Sequence, residues 1–106
     1  MFYNTKPRYK RSGSWTKVRN DFLKLHPYCM VCGITNQLEI HHCIPVSLDK
    51  DLELCVSNLI TLCEGPCNCH FVWGHLGNWK SYNPTVRQDA EMFSLRMQKR
   101  PFGRRI

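Results

Sequence analysis

The residues of this chain best suited to chemistry are an adjacent pair, His41-His42, followed by Asn58 and then by His70 and His75. Neutral imidazole binds divalent transition ions and titrates near neutral pH, so one ring can hold a metal while another takes a proton. Four of the five histidines and five of the seven cysteines lie between Leu38 and His75. Nitrogen and sulfur donors at this density point to metal binding. Neighbouring residues on a strand face opposite sides, so His41 and His42 share one ion only if the strand bends near Pro45. Otherwise one is a ligand and the other stands beside the metal as a base. His70 and His75 are five residues apart. That spacing turns them roughly 140° from each other on an ideal helix, so His75 reaches the same ion only if the helix is kinked or ends at Gly74.

The cysteines suggest a second site. Cys29-Met30-Val31-Cys32-Gly33 is one half of a zinc knuckle, two thiols three apart with a glycine that lets backbone amides turn toward the sulfurs. Cys63, Cys67 and Cys69 supply the other half. Structural zinc takes four ligands; the expected set is Cys29, Cys32, Cys63 and either Cys69 or Cys67. Such a clamp would reinforce the thin core of a 106-residue chain. The basic N-terminus has no apolar signal region and no stretch is long enough to span a bilayer, so a cytoplasmic, reducing setting without membrane association is expected. Reduced thiols and an odd cysteine count both favour metal over disulfides. Cys43 and Cys55, alone among apolar neighbours, read as buried thiols. His26, before Pro27, reads as a helix-end residue.

The elements that must carry these groups follow from periodicity. Ser14 is a suitable N-cap for a helix running to about His26, with Trp15, Val18, Phe22 and Leu25 on its apolar face. Leu38 to Ile44 reads as a strand ended by Pro45, and Leu59 to Leu62 as a second strand after a turn at Ser57-Asn58. A helix is expected from about Asn68 to Leu76. A last helix starts at Asn83-Pro84, presents Val86, Ala90, Phe93 and Met97, and stops at Pro101. The fold class is small α+β, with a flexible basic arm over residues 1–13, a domain over 14–100 and a basic tail over 101–106.

Charge is distributed unevenly along the chain, whose net formal charge is +7. Lys6, Arg8, Lys10, Arg11, Lys17 and Arg19 precede the metal-ligand region without an acid among them, and Arg96, Lys99, Arg100, Arg104 and Arg105 follow it in the same way. Two basic ends around a mildly acidic centre are the footprint of a polyanion partner. Lys6, Arg8, Lys10, Arg11, Lys17, Arg19, Arg100, Arg104 and Arg105 are the expected nucleic-acid contacts.

Glu39-Ile40-His41-His42-Cys43-Ile44-Pro45, then Asn58-Leu59-Ile60-Thr61-Leu62-Cys63, then Cys69-His70, resembles the HNH endonucleases, whose fold is the ββα-metal (His-Me) finger. The resemblance spans about Trp15 to Lys80, with core 38–76, and the flanking segments are similar to those of small phage-encoded members. It implies that His42 is the general base, that His41 and His70 hold a catalytic divalent ion (Mg²⁺, Mn²⁺, Ni²⁺ or Zn²⁺), and that Asn58 fixes the loop and orients the base. His75 would be an additional ligand or a phosphate contact. The usual C-x-x-C-H run is lengthened here to Cys63-x-x-x-Cys67-x-Cys69-His70. The implied activity is metal-dependent hydrolysis of DNA phosphodiester bonds, nicking or cutting both strands and leaving a 3′-hydroxyl and a 5′-phosphate. With no separate specificity domain in the sequence, the expectation is either low specificity or specificity supplied by a protein partner. A zinc-stabilised DNA-binding module without catalysis is the alternative, but binding alone would need none of His41, His42, Asn58 and His70.

Overall fold

The computed structural model describes residues 11–99. Most of the expected basic arm, including Lys6, Arg8 and Lys10, and the tail residues Arg100, Arg104 and Arg105 lie outside the described residues. Along the chain come helix α1 (Trp15–Leu25), strand β1 (Leu38–His42), strand β2 (Leu59–Cys63), one π-helical turn (His70–Gly74) and helix α2 (Val86–Lys99), with short 3₁₀ turns at Lys50–Leu52 and Val56–Asn58. This is a small α+β arrangement. The strands form a two-stranded antiparallel sheet in which His41 lies opposite Ile60 and His42 opposite Leu59. Among the described residues no helix is long and apolar enough to cross a membrane.

Two apolar clusters flank the sheet. On one side Phe22 of α1 is buried against Ile40 and Leu59, with Trp15 and Val18 packed around them. Leu25 was expected on this face; it is the last residue of α1 and is 75% exposed. The larger cluster joins Ile60 and Leu62 of β2 to Val86 and Ala90 of α2 and to the buried Cys29, Cys63 and Cys69, with Trp73 and Phe93 against it. A two-stranded sheet is marginal in water alone; here both faces are covered.

The start of α1 differs from the N-cap expectation. The Ser14 hydroxyl makes no capping bond. Ser12 does the local work instead: its Oγ accepts from the Ser14 amide at 3.0 Å, and its own amide donates to the Glu53 carboxylate at 3.1 Å. That long-range bond ties the root of the N-terminal arm to the loop between the strands. The start of α2 is secured by Asn83, whose Oδ1 accepts from the Thr85 amide at 3.0 Å.

The segment after β2 also departs from expectation. A regular helix over Asn68–Leu76 is replaced by the π turn, packed against β1, β2 and α2. Asn68 precedes it at φ 42° and Leu76 follows it at φ 56°, both left-handed. Hydrogen bonding from i to i+5 brings residues five apart onto one side, where an α-helix would separate them.

Candidate metal centres

Cys29, Cys32, Cys63 and Cys69 bring their sulfurs within 4.8 Å of one another. Cys29 and Cys32 come from the knuckle, where Gly33 at φ 84° donates its amide to Cys29 O at 2.9 Å. That left-handed conformation suits glycine. Cys63 ends β2, and Cys69 stands at the N-terminal side of the π turn, its amide donating to Cys63 Sγ at 3.4 Å. Cys67, the alternative fourth ligand, is exposed and outside the group. The Asn68 turn separates the two candidates.

Burial raises the Cys32 thiol to about 12 and pushes Cys69 further up, the neighbouring sulfurs adding to both. At Cys63 burial works against ionisation, but amide hydrogen bonds from Cys69 and Gly65, with Cys32, hold the thiol below its usual value. Several buried sulfurs that cannot all ionise beside one another are a donor set that a soft or borderline cation satisfies. Four cysteines so placed can hold a structural ion such as zinc.

A second group joins β1 to the π turn. His41, His70 and His75 bring ligand nitrogens within 4.8 Å of one another, and the three rings stand edge-on, each pair 5.0 Å apart between centroids. The π turn explains why His75 takes part. The outer nitrogens are already assigned: His70 Nδ1 donates to Glu64 Oε2 at 2.9 Å, and His75 Nδ1 donates to the Ser81 carbonyl at 2.7 Å. Both bonds fix the tautomer and leave each Nε2 lone pair available. His41 Nε2 is buried without a hydrogen-bond partner among the described residues. An orphaned buried nitrogen is costly, and a cation facing three imidazole lone pairs removes that cost. Burial, then the nearby His70 and His75, lowers the His41 pKa to about 3, so the ring is neutral and ligand-competent. The residues present therefore fit a metal ion.

His42 lies in different surroundings. Its ring packs on Trp15 with centroids 4.7 Å apart, and its Nε2 donates to the Glu53 carbonyl at 2.9 Å. Burial lowers its pKa, Arg11 acting in the same direction and the Glu53 bond opposing. The carbonyl that orients His42 is thus Glu53's and not the Asn58 amide's. Asn58 is buried and works on the loop: its Oδ1 accepts from the Ile44 amide at 2.9 Å, and its Nδ2 donates to the carbonyls of Ile44 at 3.0 Å and Leu52 at 3.3 Å. The loop it pins carries Glu53, so its influence on His42 is one step removed.

Of the expected DNA contacts within the described residues, Arg19 pairs with Glu39 at 2.8 Å, Lys17 with Asp21 at 2.8 Å, and Arg11 lies 3.7 Å from Glu53 and 5.0 Å from the Trp15 ring centroid. His26 ends α1, packs on Phe22 and belongs to neither ligand group. Cys43 is partly buried and its thiol is raised by burial; Cys55 is partly exposed, its Sγ 3.2 Å from Ser57 Oγ. A cleft of about 300 Å³ lined by Phe22, His26, Tyr28 and Arg87 contains none of the clustered ligands.

Sequence reasoning did not single out Glu53, Glu64, Gly74, Ser81 or Arg87 for roles around the sites. Arg87 caps the outer edge of β2, its Nη2 donating to Leu59 O at 2.6 Å and Ser57 O at 3.2 Å. Glu64 was the one member with a readable signal, a carboxylate directly after Cys63 and six residues before a candidate ligand.

The fold and its clusters define a small α+β protein whose four cysteines can hold a structural metal. No protein-family model, no curated protein and no solved structure matches the chain.

Proposed function

We propose that the chain is a metal-dependent endonuclease of the HNH type, that its β1–β2–π-turn core is a variant of the ββα-metal finger, and that it hydrolyses phosphodiester bonds in DNA. The observation that carries this reading is the divergence of two consecutive histidines. His41 faces His70 and His75, whereas His42 is held apart by Glu53 and Trp15. A binding module needs neither arrangement.

His41, His70 and His75 would hold the ion through their ring nitrogens. This all-nitrogen set suits Zn²⁺ or Ni²⁺ better than Mg²⁺ or Mn²⁺, which favour oxygen. When bound, the ion supplies positive charge against the anionic phosphate and the departing oxygen. His42 performs the proton transfer. With Nε2 donating to Glu53 O, Nδ1 carries the lone pair that accepts a proton from the attacking water. Burial keeps that nitrogen unprotonated near neutral pH. Trp15 limits rotation of the ring, and Asn58 holds the loop whose carbonyl receives the Nε2 proton. The basic ends of the chain attract the DNA backbone without reading its sequence.

The test is incubation of plasmid DNA with the protein and Mg²⁺, Mn²⁺, Ni²⁺ or Zn²⁺, with EDTA controls, comparing wild type and His42→Ala. Cleavage by wild type with Ni²⁺ or Zn²⁺, its loss in the variant and retained DNA binding are expected. Undiminished cleavage by His42→Ala would remove the base from the mechanism. DNA binding without cleavage under every metal condition would favour the non-catalytic module.

A further inference from the structure

Directly after His75 the chain places an exposed leucine in a strained conformation. Leu76 is 57% exposed and sits at φ 56°. The next amide, Gly77, donates to Phe71 O at 2.9 Å, so Leu76 occupies the left-handed closing position that glycine ordinarily takes after a helical turn. A leucine there is destabilising relative to glycine, because its Cβ crowds the backbone. The side chain gives the core little in return. Backbone strain at an exposed apolar residue next to a candidate site points to a functional role for that residue.

Its neighbours indicate what that is. Trp79 is 46% exposed and packs against His75 at 4.8 Å, Phe71 at 4.8 Å and His70 at 5.3 Å between centroids. The indole therefore lines the solvent side of the three-histidine group. The segment between these two apolar residues is well braced: Asn78 N donates to His75 O at 3.0 Å, Ser81 N to Asn78 O at 2.8 Å, and His75 Nδ1 to Ser81 O at 2.7 Å. One loop thus orients His75, carries the exposed Leu76 next to it in the chain and packs the half-exposed Trp79 indole against its ring.

We infer that Leu76 and Trp79 form the apolar rim against which the DNA packs, contacting the sugar and base of the nucleotide whose phosphate occupies the three-histidine site. This assignment rests on the nuclease reading above. Aromatic faces stack on any base, and aliphatic side chains wedge between base steps from the minor groove. The contact needs no base-specific hydrogen bond and so is tolerant of sequence. It supplies the apolar part of binding, while the basic ends supply the electrostatic part.

The experiment uses the full chain in a His42→Ala background, so that DNA stays intact. Leu76→Gly, Leu76→Asn and Trp79→Ala are compared with this parent for thermal stability and for binding to a labelled duplex with Ni²⁺ present. Glycine and asparagine both tolerate left-handed backbone. Both Leu76 variants should melt at the same temperature as the parent or higher, yet bind DNA about tenfold more weakly, as should Trp79→Ala. Opposite signs for stability and binding distinguish a partner contact from a role in folding. Binding by the Leu76 variants within twofold of the parent, or a fall in their melting temperature, overturns the assignment alone. Absence of duplex binding by the parent overturns both the assignment and the nuclease reading.

Discussion

Gly74 lies so close to the His41 ring that a Cβ built on it would sit 3.0 Å from His41 Cε1 and 3.2 Å from both ring nitrogens. The His41 ring of β1 and the π turn meet with no space between them. Gly74→Ala therefore requires the imidazole or the turn to give by a few tenths of an ångström. The expected result is about tenfold or greater loss of Ni²⁺ affinity at the histidine group in protein whose cysteines already hold zinc. Isothermal titration measures it, and unchanged affinity would show that the contact yields without moving the ligand.

Glu64 links the two ligand groups, following Cys63 and accepting from His70 Nδ1 at 2.9 Å. Removing such a carboxylate frees the ring to rotate and lowers the basicity of its other nitrogen. Glu64→Ala should weaken Ni²⁺ binding about 10–100-fold while leaving the zinc content at one per chain. Equal affinity in wild type and variant would show that His70 is oriented by packing alone.

Cys32 and Cys67 offer a matched comparison, one within the four-sulfur group and one exposed outside it. Cys32→Ser should lose zinc and several kcal/mol of stability, on the order of 10 °C or more in melting temperature. Cys67→Ser should keep both its zinc and its melting temperature. Elemental analysis with thermal melts separates the outcomes; a zinc-depleted Cys67→Ser protein would place the fourth ligand elsewhere.

Asn58→Ala removes three hydrogen bonds that cross the loop between the strands. Leaving the Ile44 and Leu52 backbone groups without this partner should cost about 2–4 kcal/mol. Chemical denaturation measures that loss. Because the same loop carries the Glu53 carbonyl, cleavage should fall even where the variant is fully folded, and a folded Asn58→Ala with wild-type turnover would detach Asn58 from the positioning of His42.

Much of this arrangement was legible in the residues alone. The knuckle at Cys29–Cys32 follows from spacing, and the separation of His41 from His42 follows from strand alternation. The apolar periodicity of Trp15–Phe22 and Val86–Phe93 determined which helix faces would be buried, and the mixed sequence of strands and helices determined the α+β class. Tertiary structure decided the rest. Spacing on an ideal helix separates His70 from His75; the π turn packed against β1, β2 and α2 brings them together. Folding also separates Cys69 from Cys67, burying the first in the four-sulfur group and leaving the second exposed, with the left-handed Asn68 between them. The partners of the imidazoles come from Glu53, Glu64 and Ser81, and two of these contributions are backbone carbonyls. Every residue has a carbonyl, so side-chain identity does not reveal which one will face a ring; only the path of the folded chain determines that.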